Sequence, residues 1–325
     1  MRVNNFDAKI KVMKLQEIFK RYSTEKKAKR AFKEFRDKQG VVCKKCKGRE
    51  HYWKEDKWQY ECKRCKFRTT LRSGTVMESS KLPYRYWMMT IGLMSATKKS
   101  FSALEIQRQL GHKRYEPVWS MLHKLRVAMG RRDDKYKLDG FLEIDEGYFE
   151  GQRSQEEVAE DKYVAHENKG KRQVKVLVAV QSAPVEKKHK NKNRPNRKAG
   201  FLKMKVVEQV SKAEINYEVK RHIAPTAKAI TDGKRCYRDL KEILADHKVV
   251  ICEDKKDVSK IFPWAHIAIS NAKKMCLGIH HSIKKCFMQN YLNEFCYKFN
   301  RRNFGEALFD RLIVASVEAA WYEFR

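Results

Sequence analysis

The most informative stretch of this chain lies at residues 141–149, which read FLEIDEGYF. Its apolar residues and aromatic ends are typical of a buried β-strand. Asp145 lies in the middle of this strand, and a buried carboxylate costs free energy unless it binds a cation or is well paired. The stretch therefore predicts a core strand that carries an acid for a reason other than packing.

A second acid follows another short apolar strand, which reads AITDG at residues 229–233. If the two strands are neighbours in one sheet, Asp145 and Asp232 converge at one edge. Carboxylate oxygens suit Mg²⁺ or Mn²⁺, and two such ions can activate a nucleophile and stabilise the leaving oxygen of a phosphodiester. The pair predicts a catalytic Mg²⁺ or Mn²⁺ site.

Two plainer interpretations of these acids stay open. Asp-Gly after a strand is also an ordinary turn signal. Glu143, Asp145 and Glu146 could together form a half-exposed acidic edge.

The sequence around these two stretches predicts further strands separated by helices. Helices are expected at residues 217–222 and 237–246, and helical spacing returns from Asn271 onward. The remaining strand candidates lie at residues 174–181, 201–210 and 248–254.

The composition points to a polyanionic partner. Lys and Arg total 73, Asp and Glu total 40, and the net charge is +33. A positive field of this size attracts nucleic acid, with an anionic membrane surface as the second candidate. An apolar run of about 18 residues and a signal-peptide pattern are both absent, so we expect no membrane insertion and a cytoplasmic location in contact with DNA.

The cysteine spacing predicts a zinc ribbon. Two Cys-x-x-Cys turns, Cys43 with Cys46 and Cys62 with Cys65, can direct four thiolates at one tetrahedral, structural Zn²⁺. We expect the other cysteines to be buried thiols and not disulfides, because this pattern is typical of a reducing compartment. The small core of the ribbon is expected from Tyr52, Trp53, Trp58 and Tyr60, and the other cysteines are Cys236, Cys252, Cys276, Cys286 and Cys296.

A helix-turn-helix is predicted after the ribbon. Ser102 and Glu105 form a capping box that starts a helix, and Gly111 can end it in a left-handed turn. An ordinary helical hairpin is the alternative, and basic residues favour DNA binding. The second helix carries Val118, Leu122, Leu125 and Met129 on one face, and the basic residues are Lys98, Lys99, Lys113, Arg114, Lys124 and Arg126.

Taken in order, these motifs resemble those of a known family. The chain resembles the zinc-ribbon DDE transposases of a group of bacterial insertion sequences, which are relatives of the eukaryotic Merlin transposons. Beyond the cysteines, the resemblance rests on Ser73-Gly74-Thr75, Ile144-Asp145-Glu146, Thr231-Asp232-Gly233, His266, Asn271, Tyr291-Leu292-Asn293-Glu294-Phe295 and Asn300-Arg301-Arg302.

The resemblance implies a multidomain α+β protein with an RNase H-like core. The predicted order is a basic helical segment, a zinc ribbon, a helix-turn-helix DNA-binding region, an α/β RNase H-like catalytic domain and a C-terminal helix. These five parts are expected at residues 1–38, 39–78, 79–135, 136–304 and 305–325.

The resemblance also implies the catalytic residues. Asp145 and Asp232 match the first two acids. Many relatives carry a glutamate five residues after a histidine, and here Asn271 stands at that distance from His266. Asn271 is therefore expected as the third catalytic metal ligand, with Glu294 and His266 as alternatives, and a helix N-cap is its structural alternative.

The implied function is DNA transposition. The protein is expected to bind the terminal inverted repeats of an insertion sequence and target DNA as a dimer or larger homo-oligomer, and to catalyse strand cleavage and strand transfer. An inactive or domesticated transposase that regulates through its zinc ribbon is the alternative, because the third carboxylate is missing. A nuclease without strand transfer is a further possibility.

Overall fold

The computed structural model describes residues 14–152, 173–185, 195–251 and 261–318. The chain divides into two compact units. One comprises Met1–Arg132 with Arg301–Arg325, and the other comprises Asp133–Asn300. Within the described residues, every helix is too short or too polar to cross a membrane.

The first unit consists of helices and one small antiparallel sheet. The helix Glu25–Gln39 begins after Thr24, whose hydroxyl caps it by accepting a hydrogen bond from the Lys27 backbone N–H at 3.3 Å. The buried side chains of Phe32 and Trp87 lie in its core. Its helices are α1 (Leu15–Arg21), α2 (Glu25–Gln39), α3 (Tyr84–Ala96), α4 (Ala103–Leu110), α5 (Tyr115–Asp134) and a C-terminal helix, Ala307–Glu318; its strands are β1 (His51–Lys54), β2 (Gln59–Cys62) and β3 (Arg68–Thr70).

The predicted start and end of the helix after Ser102, α4, are confirmed. The Ser102 hydroxyl accepts from the Glu105 backbone N–H at 3.1 Å, and α4 ends at Gly111 with φ +62°, a left-handed conformation that glycine adopts without strain. The Gln107 side-chain amide donates to the backbone carbonyls of His112 and Lys113 and holds the turn. The predicted apolar face of α5 is buried: Val118, Leu122, Leu125 and Met129.

The second unit is built on one mixed sheet. Its strand order is β6-β5-β4-β7-β8; β4, β5 and β6 pair antiparallel, and β7 and β8 run parallel to β4. The strands are β4 (Phe141–Glu150), β5 (Gln173–Pro184), β6 (Arg197–Val207), β7 (Lys228–Thr231) and β8 (Asp246–Val249); the helices are α6 (Lys212–His222), α7 (Leu240–Ile243), α8 (Pro263–Met275) and α9 (Met288–Asn300).

Helices cover both faces of this sheet. Val176 and Val178 of β5 join the core on the side of α8 and α9, whereas Leu177 and Ala179 join the core on the side of α6 and α7. A strand that is buried on both faces reads as a continuous apolar run, which explains its sequence. Mixed helix and sheet agree with the predicted α+β class.

Three local predictions differ from the structure. The last described strand is Asp246–Val249, which pairs with β7. The strand predicted at residues 248–254 shares only residues 248 and 249 with it, and residues 252–254 lie outside the described residues. Residues 237–246 do not form one helix but a 3₁₀ turn followed by the four-residue α7. The helix that contains Asn271, α8, begins earlier than expected, at Pro263, and proline is well suited to the first turn of a helix.

Candidate functional site

Three carboxylates converge where β4 and β7 lie side by side. In the parallel pairing, Glu143 is opposite Ile230, and the same register continued by two residues brings Asp232 level with Asp145. Asp145, Glu146 and Asp232 each offer a carboxylate oxygen within 4.8 Å of the others. The structure thus brings the two aspartates together and adds Glu146.

Asp145 lies in a largely buried position between its own strand and α8. Its side chain is 17% exposed, and one oxygen accepts the Glu146 backbone N–H at 2.8 Å. The other oxygen lies 3.6 Å from Nε2 of His266 on α8. Burial raises the pKa of Asp145, and the nearby Glu146 carboxylate acts in the same direction. A divalent cation would relieve this cost.

Glu146 is the most buried acid of the group, and its charged partner is Lys234. The Glu146 side chain is 0% exposed, and the Lys234 ammonium donates a hydrogen bond to it. The same ammonium lies 3.0 Å from Asp232 Oδ2. Burial alone would lower the pKa of Lys234, but the hydrogen bond and charge of Glu146 and the charge of Asp232 outweigh it and raise this pKa.

Glu143, two residues before Asp145, has a structural role. One of its oxygens accepts the backbone N–H groups of Trp264 and Ala265 at 2.8 and 2.9 Å, which caps the N-terminus of α8. The other lies 3.7 Å from Arg197 Nε. Burial raises the pKa of Glu143 despite these partners. The open interpretation of a half-exposed acidic edge is therefore wrong for Glu143, which is 0% exposed.

The candidates for the third ligand lie in different places. His266 is beside Asp145, whereas Glu294 is buried in α9, where it pairs with Lys298 at 3.0 Å. Asn271 is an exposed residue inside α8, so the N-cap interpretation is wrong. Five residues at about 100° each turn Asn271 about 140° away from His266 around the helix.

The acidic group fits a hard divalent cation. It offers carboxylate oxygens of Asp145, Glu146 and Asp232, which are the donors that Mg²⁺ and Mn²⁺ prefer. Sequence reasoning missed Lys234 and the part played by Glu146. Glu146 is itself part of the Ile144-Asp145-Glu146 motif, and Lys234 directly follows Thr231-Asp232-Gly233, so the charge pattern could have drawn attention to them.

Four thiols converge in the first unit. The Sγ atoms of Cys43 and Cys65 lie 3.5 Å apart, and so do those of Cys46 and Cys62. A tetrahedral zinc ion with Zn–S bonds of about 2.3 Å separates its sulfurs by about 3.8 Å. The four cysteines are free thiols, and their spacing fits a zinc ribbon.

The two cysteine turns have the same backbone structure. Lys47 and Lys66, each the residue after the second cysteine of its turn, both have φ +59°. Their N–H groups donate to the carbonyls of Cys43 and Cys62 at 3.0 and 2.9 Å. The first cysteine of each turn in addition donates its own N–H to the carbonyl five residues later, so that each turn is closed by a pair of hydrogen bonds.

Backbone N–H groups also favour the thiolate form. The N–H of Cys46 faces the Cys43 sulfur and lowers the pKa of Cys43 to about 7. The N–H of Cys65 lowers the pKa of Cys62 in the same way. Thiolates are the form that binds metal, and the first cysteine of each turn favours this form. In Cys65 the Phe67 backbone N–H acts in the same direction, but burial and the hydrogen bonds of the other three thiols outweigh it and raise the pKa.

The aromatic residues of the ribbon are only partly as predicted. Trp53 packs against Tyr60 and Trp58, with ring centroids 4.8 and 5.7 Å apart. Tyr52 is 50% exposed and lies outside this small core. Among the remaining cysteines, Cys286 is exposed, contrary to expectation, and Cys252 lies outside the described residues. The ones that are buried as expected are Cys236, Cys276 and Cys296.

Two of the basic residues assigned to DNA binding face the interior. Lys124 is 5% exposed and donates to the Glu78 carbonyl at 2.6 Å, and Arg126 is 1% exposed and donates to the Phe101 carbonyl at 3.3 Å. They stabilise the fold and cannot contact a phosphate backbone in this structure. The four that are exposed are Lys98, Lys99, Lys113 and Arg114.

Comparison with known proteins identifies one family. The family described as ISXO2-like transposase domain matches residues 137–300, about half of the chain. The matched part includes the three converging carboxylates. Neither a curated protein nor a solved structure matches the chain.

Proposed function

Because the chain belongs to the ISXO2-like transposase family, we propose that it cleaves DNA at the ends of an insertion sequence and joins the freed ends to target DNA. The observation that carries this proposal is the convergence of Asp145, Glu146 and Asp232 within the matched region. A buried acidic group of this kind is of little use to a protein that only binds DNA, because it repels phosphates unless it holds metal.

The catalytic unit is inferred to be RNase H-like. Support comes from the sheet, in which three antiparallel strands are followed by two strands parallel to the first. The two aspartates belong to the adjacent strands β4 and β7, one inside its strand and one just after it. A phosphate held at this edge would face both carboxylates.

The proposed reaction consists of two displacements at phosphorus. Water first attacks a phosphodiester at the element end and releases a 3′-hydroxyl; this hydroxyl then attacks a target phosphodiester, and each step forms one P–O bond and breaks another. Bound Mg²⁺ or Mn²⁺ would supply Lewis-acid stabilisation of the attacking and leaving oxygens. Asp145 and Asp232 would hold the ions, and His266 would orient the Asp145 carboxylate.

The third ligand is where the resemblance and the geometry differ. The resemblance assigns Asn271, while the geometry groups Glu146 with the two aspartates. Asn271 therefore stays a prediction, and Glu146 is the candidate that the geometry adds. The Mn²⁺ affinities of Asn271→Ala and Glu146→Gln distinguish the two candidates. The affinity should fall only in the variant that has lost a metal ligand.

The first unit is proposed to bind double-stranded DNA. Four thiolates would hold a structural Zn²⁺, and the positive charge of the exposed turn between α4 and α5 supports contact with phosphates. The expected partners are the terminal repeats and the target DNA, and a dimer or larger homo-oligomer would be needed to hold two ends together.

The test mixes the purified full chain with Mn²⁺ and DNA that carries the ends flanking its coding region. We expect cleaved and joined products from the wild type and none from Asp145→Ala or Asp232→Ala. Asp246→Ala is the matched control, because Asp246 is an exposed acid on the edge strand of the same sheet. Unchanged yield in the first two variants would refute the catalytic proposal.

The same experiment separates the alternatives. Cleavage without joining would identify a nuclease. DNA binding without any product would favour an inactive transposase that acts as a zinc-ribbon regulator. The observation that supports this alternative is that Asn271 stands, five residues after His266, where the resemblance leads one to expect a glutamate.

A further inference from the structure

Lys234 occupies an unusual position for a lysine of a DNA-binding protein. It follows Asp232-Gly233 in the loop after β7, and its backbone N–H donates to Asp232 Oδ1 at 3.2 Å. Its ammonium turns inward and contacts two of the three carboxylates, Glu146 and Asp232. The loop thus folds a positive charge back onto the acidic group.

We propose that Lys234 is a tethered cation that occupies the carboxylate group in the metal-free protein and must be displaced before a divalent ion binds. This inference rests on the proposed function, because it concerns the same metal site. It goes beyond the proposed function because it identifies a side chain of the protein, Lys234, as a competitor of the metal ion for the site.

The geometry makes the two cations mutually exclusive. The ammonium lies 3.0 Å from Asp232 Oδ2, and it is also hydrogen-bonded to Glu146 Oε2. A Mg²⁺ ion bound through these same two oxygens needs each of them at about 2.0–2.1 Å and would take the place of the ammonium. An ion bound by Glu146 and Asp232 therefore leaves no room for the ammonium between them.

Charge explains why the lysine lies against these acids. Three carboxylates lie within 4.8 Å of one another, and like charges at that distance repel. One ammonium shared by Glu146 and Asp232 offsets part of this repulsion. It also gives Glu146, whose side chain is fully buried, a charged hydrogen-bond donor.

The lysine can also leave. Its side chain is 45% exposed, so the ammonium has a path to solvent without disturbing the core. The ion pair of Lys298 with Glu294 offers a contrast, because those side chains are 9% and 0% exposed and lie within one helix. Displacing the ammonium from Glu146 and Asp232 costs only the free energy of this ion pair. Because metal binding has to supply that free energy, the protein binds metal more weakly than the same carboxylates would without Lys234.

The test measures Mn²⁺ binding to the full chain without DNA, by the electron paramagnetic resonance signal of free Mn²⁺. The double variant Asp145→Ala, Asp232→Ala gives the background from other sites. We expect Lys234→Gln to tighten Mn²⁺ binding by about tenfold, which corresponds to about 1.4 kcal/mol. Lys234→Arg keeps the charge and should stay close to the wild type.

Arg235→Gln is the matched control, because Arg235 is the exposed neighbour and loses the same charge. A surface charge that makes no such contact should change the affinity by about twofold or less. Thermal unfolding of each variant shows that the fold is kept.

The Mn²⁺ affinities of these variants can overturn the proposal in several ways. Equal or weaker Mn²⁺ binding by Lys234→Gln overturns the proposal and leaves the metal site in place. Equal tightening by Arg235→Gln also overturns it, since the effect would then be one of general charge. A tenfold change in Lys234→Arg contradicts it as well. If neither the wild type nor Lys234→Gln binds Mn²⁺ above background, the metal site of the proposed function fails, and the role of Lys234 fails with it.

Discussion

Replacing Glu143 by alanine tests whether this buried acid anchors α8. The carboxylate accepts two backbone N–H groups, those of Trp264 and Ala265, at the start of the helix. Alanine leaves both donors without this acceptor in a place where water has little access, because the Glu143 side chain is fully buried. We expect the variant to be less stable, with the loss concentrated at the start of α8.

The size of the loss follows from these contacts. Loss of an N-cap side chain costs about 0.5–2 kcal/mol, and a hydrogen bond to a charged group contributes about 1.5–3 kcal/mol. Removal of the carboxylate also removes its own desolvation cost, so the two contributions do not add in full. We expect the free energy of unfolding to fall by about 2–3 kcal/mol in total. This total includes the loss of the charged neighbour that Arg197 has 3.7 Å away.

Glu143→Gln is the control. A single oxygen accepts both N–H groups, and the glutamine carbonyl can do the same, so the loss should stay below about 1 kcal/mol. The pKa of Glu143 is raised in the folded protein above its ordinary value of 4.5. Its contribution to stability is therefore full below that value and is lost as the pH rises through the folded-state pKa. The disadvantage of glutamine should shrink over the same range.

The assay is hydrogen exchange of the Trp264 and Ala265 amides, together with denaturant unfolding of the full chain. Glu143→Ala should speed exchange at both amides by about thirtyfold to a hundredfold, the equivalent of about 2–3 kcal/mol. Exchange that stays as slow as in the wild type would show that something other than Glu143 holds the helix start. An equal effect of glutamine would show that charge, and not the acceptor geometry, matters.

Two further predictions concern the zinc ribbon and the packing beneath α8. Cys46→Ser should lose one zinc ion per chain by elemental analysis, and the backbone amides of the ribbon should lose their protection from hydrogen exchange. Cys286→Ser changes an exposed thiol outside the ribbon and should keep both the zinc and the protection. Zinc retained in Cys46→Ser would contradict a four-thiolate site. Gly147→Ala should lower the free energy of unfolding by about 1–3 kcal/mol, since the added Cβ would lie 2.8 Å from the Phe149 ring. Gly278→Ala is the control, because its Cβ would meet nothing within 4 Å and the change should be nearly neutral. Equal melting temperatures of the two variants would exclude the steric explanation.

The elements that could be predicted are those whose signal lies within one segment. Ser102 and Gly111 bound α4 as expected, because capping and left-handed turns depend on the residues themselves. The strand carrying Asp145 was equally clear, since its apolar run is local. The cysteine spacing sufficed to predict the thiol group, because each Cys-x-x-Cys turn forms its own hydrogen bonds.

What could not be predicted depends on partners far apart in sequence. The start of α8 is capped by Glu143, which accepts from the backbone N–H of Trp264, 121 residues later in the chain. Lys124 and Arg126 donate hydrogen bonds to backbone carbonyls that lie far from them in the sequence. Their positive charge therefore suggested a contact with DNA that their buried positions do not allow. Burial of a charged side chain is decided by such distant acceptors, which spacing along the chain does not reveal.

The cap on α8 also bears on the third ligand. Because Glu143 and Asp145 are two residues apart on β4, they point to the same face of the sheet, and fixing Trp264 and Ala265 on Glu143 sets the rotation of the helix. That rotation presents His266 to Asp145 and turns Asn271 about 140° away. To bring Asn271 to an ion held by Asp145, the helix would have to rotate and give up both hydrogen bonds to Glu143. A Glu143→Ala protein that gained Mn²⁺ affinity through Asn271 would therefore show that the cap and the asparagine compete, whereas weaker binding would show that the cap supports the site as it stands.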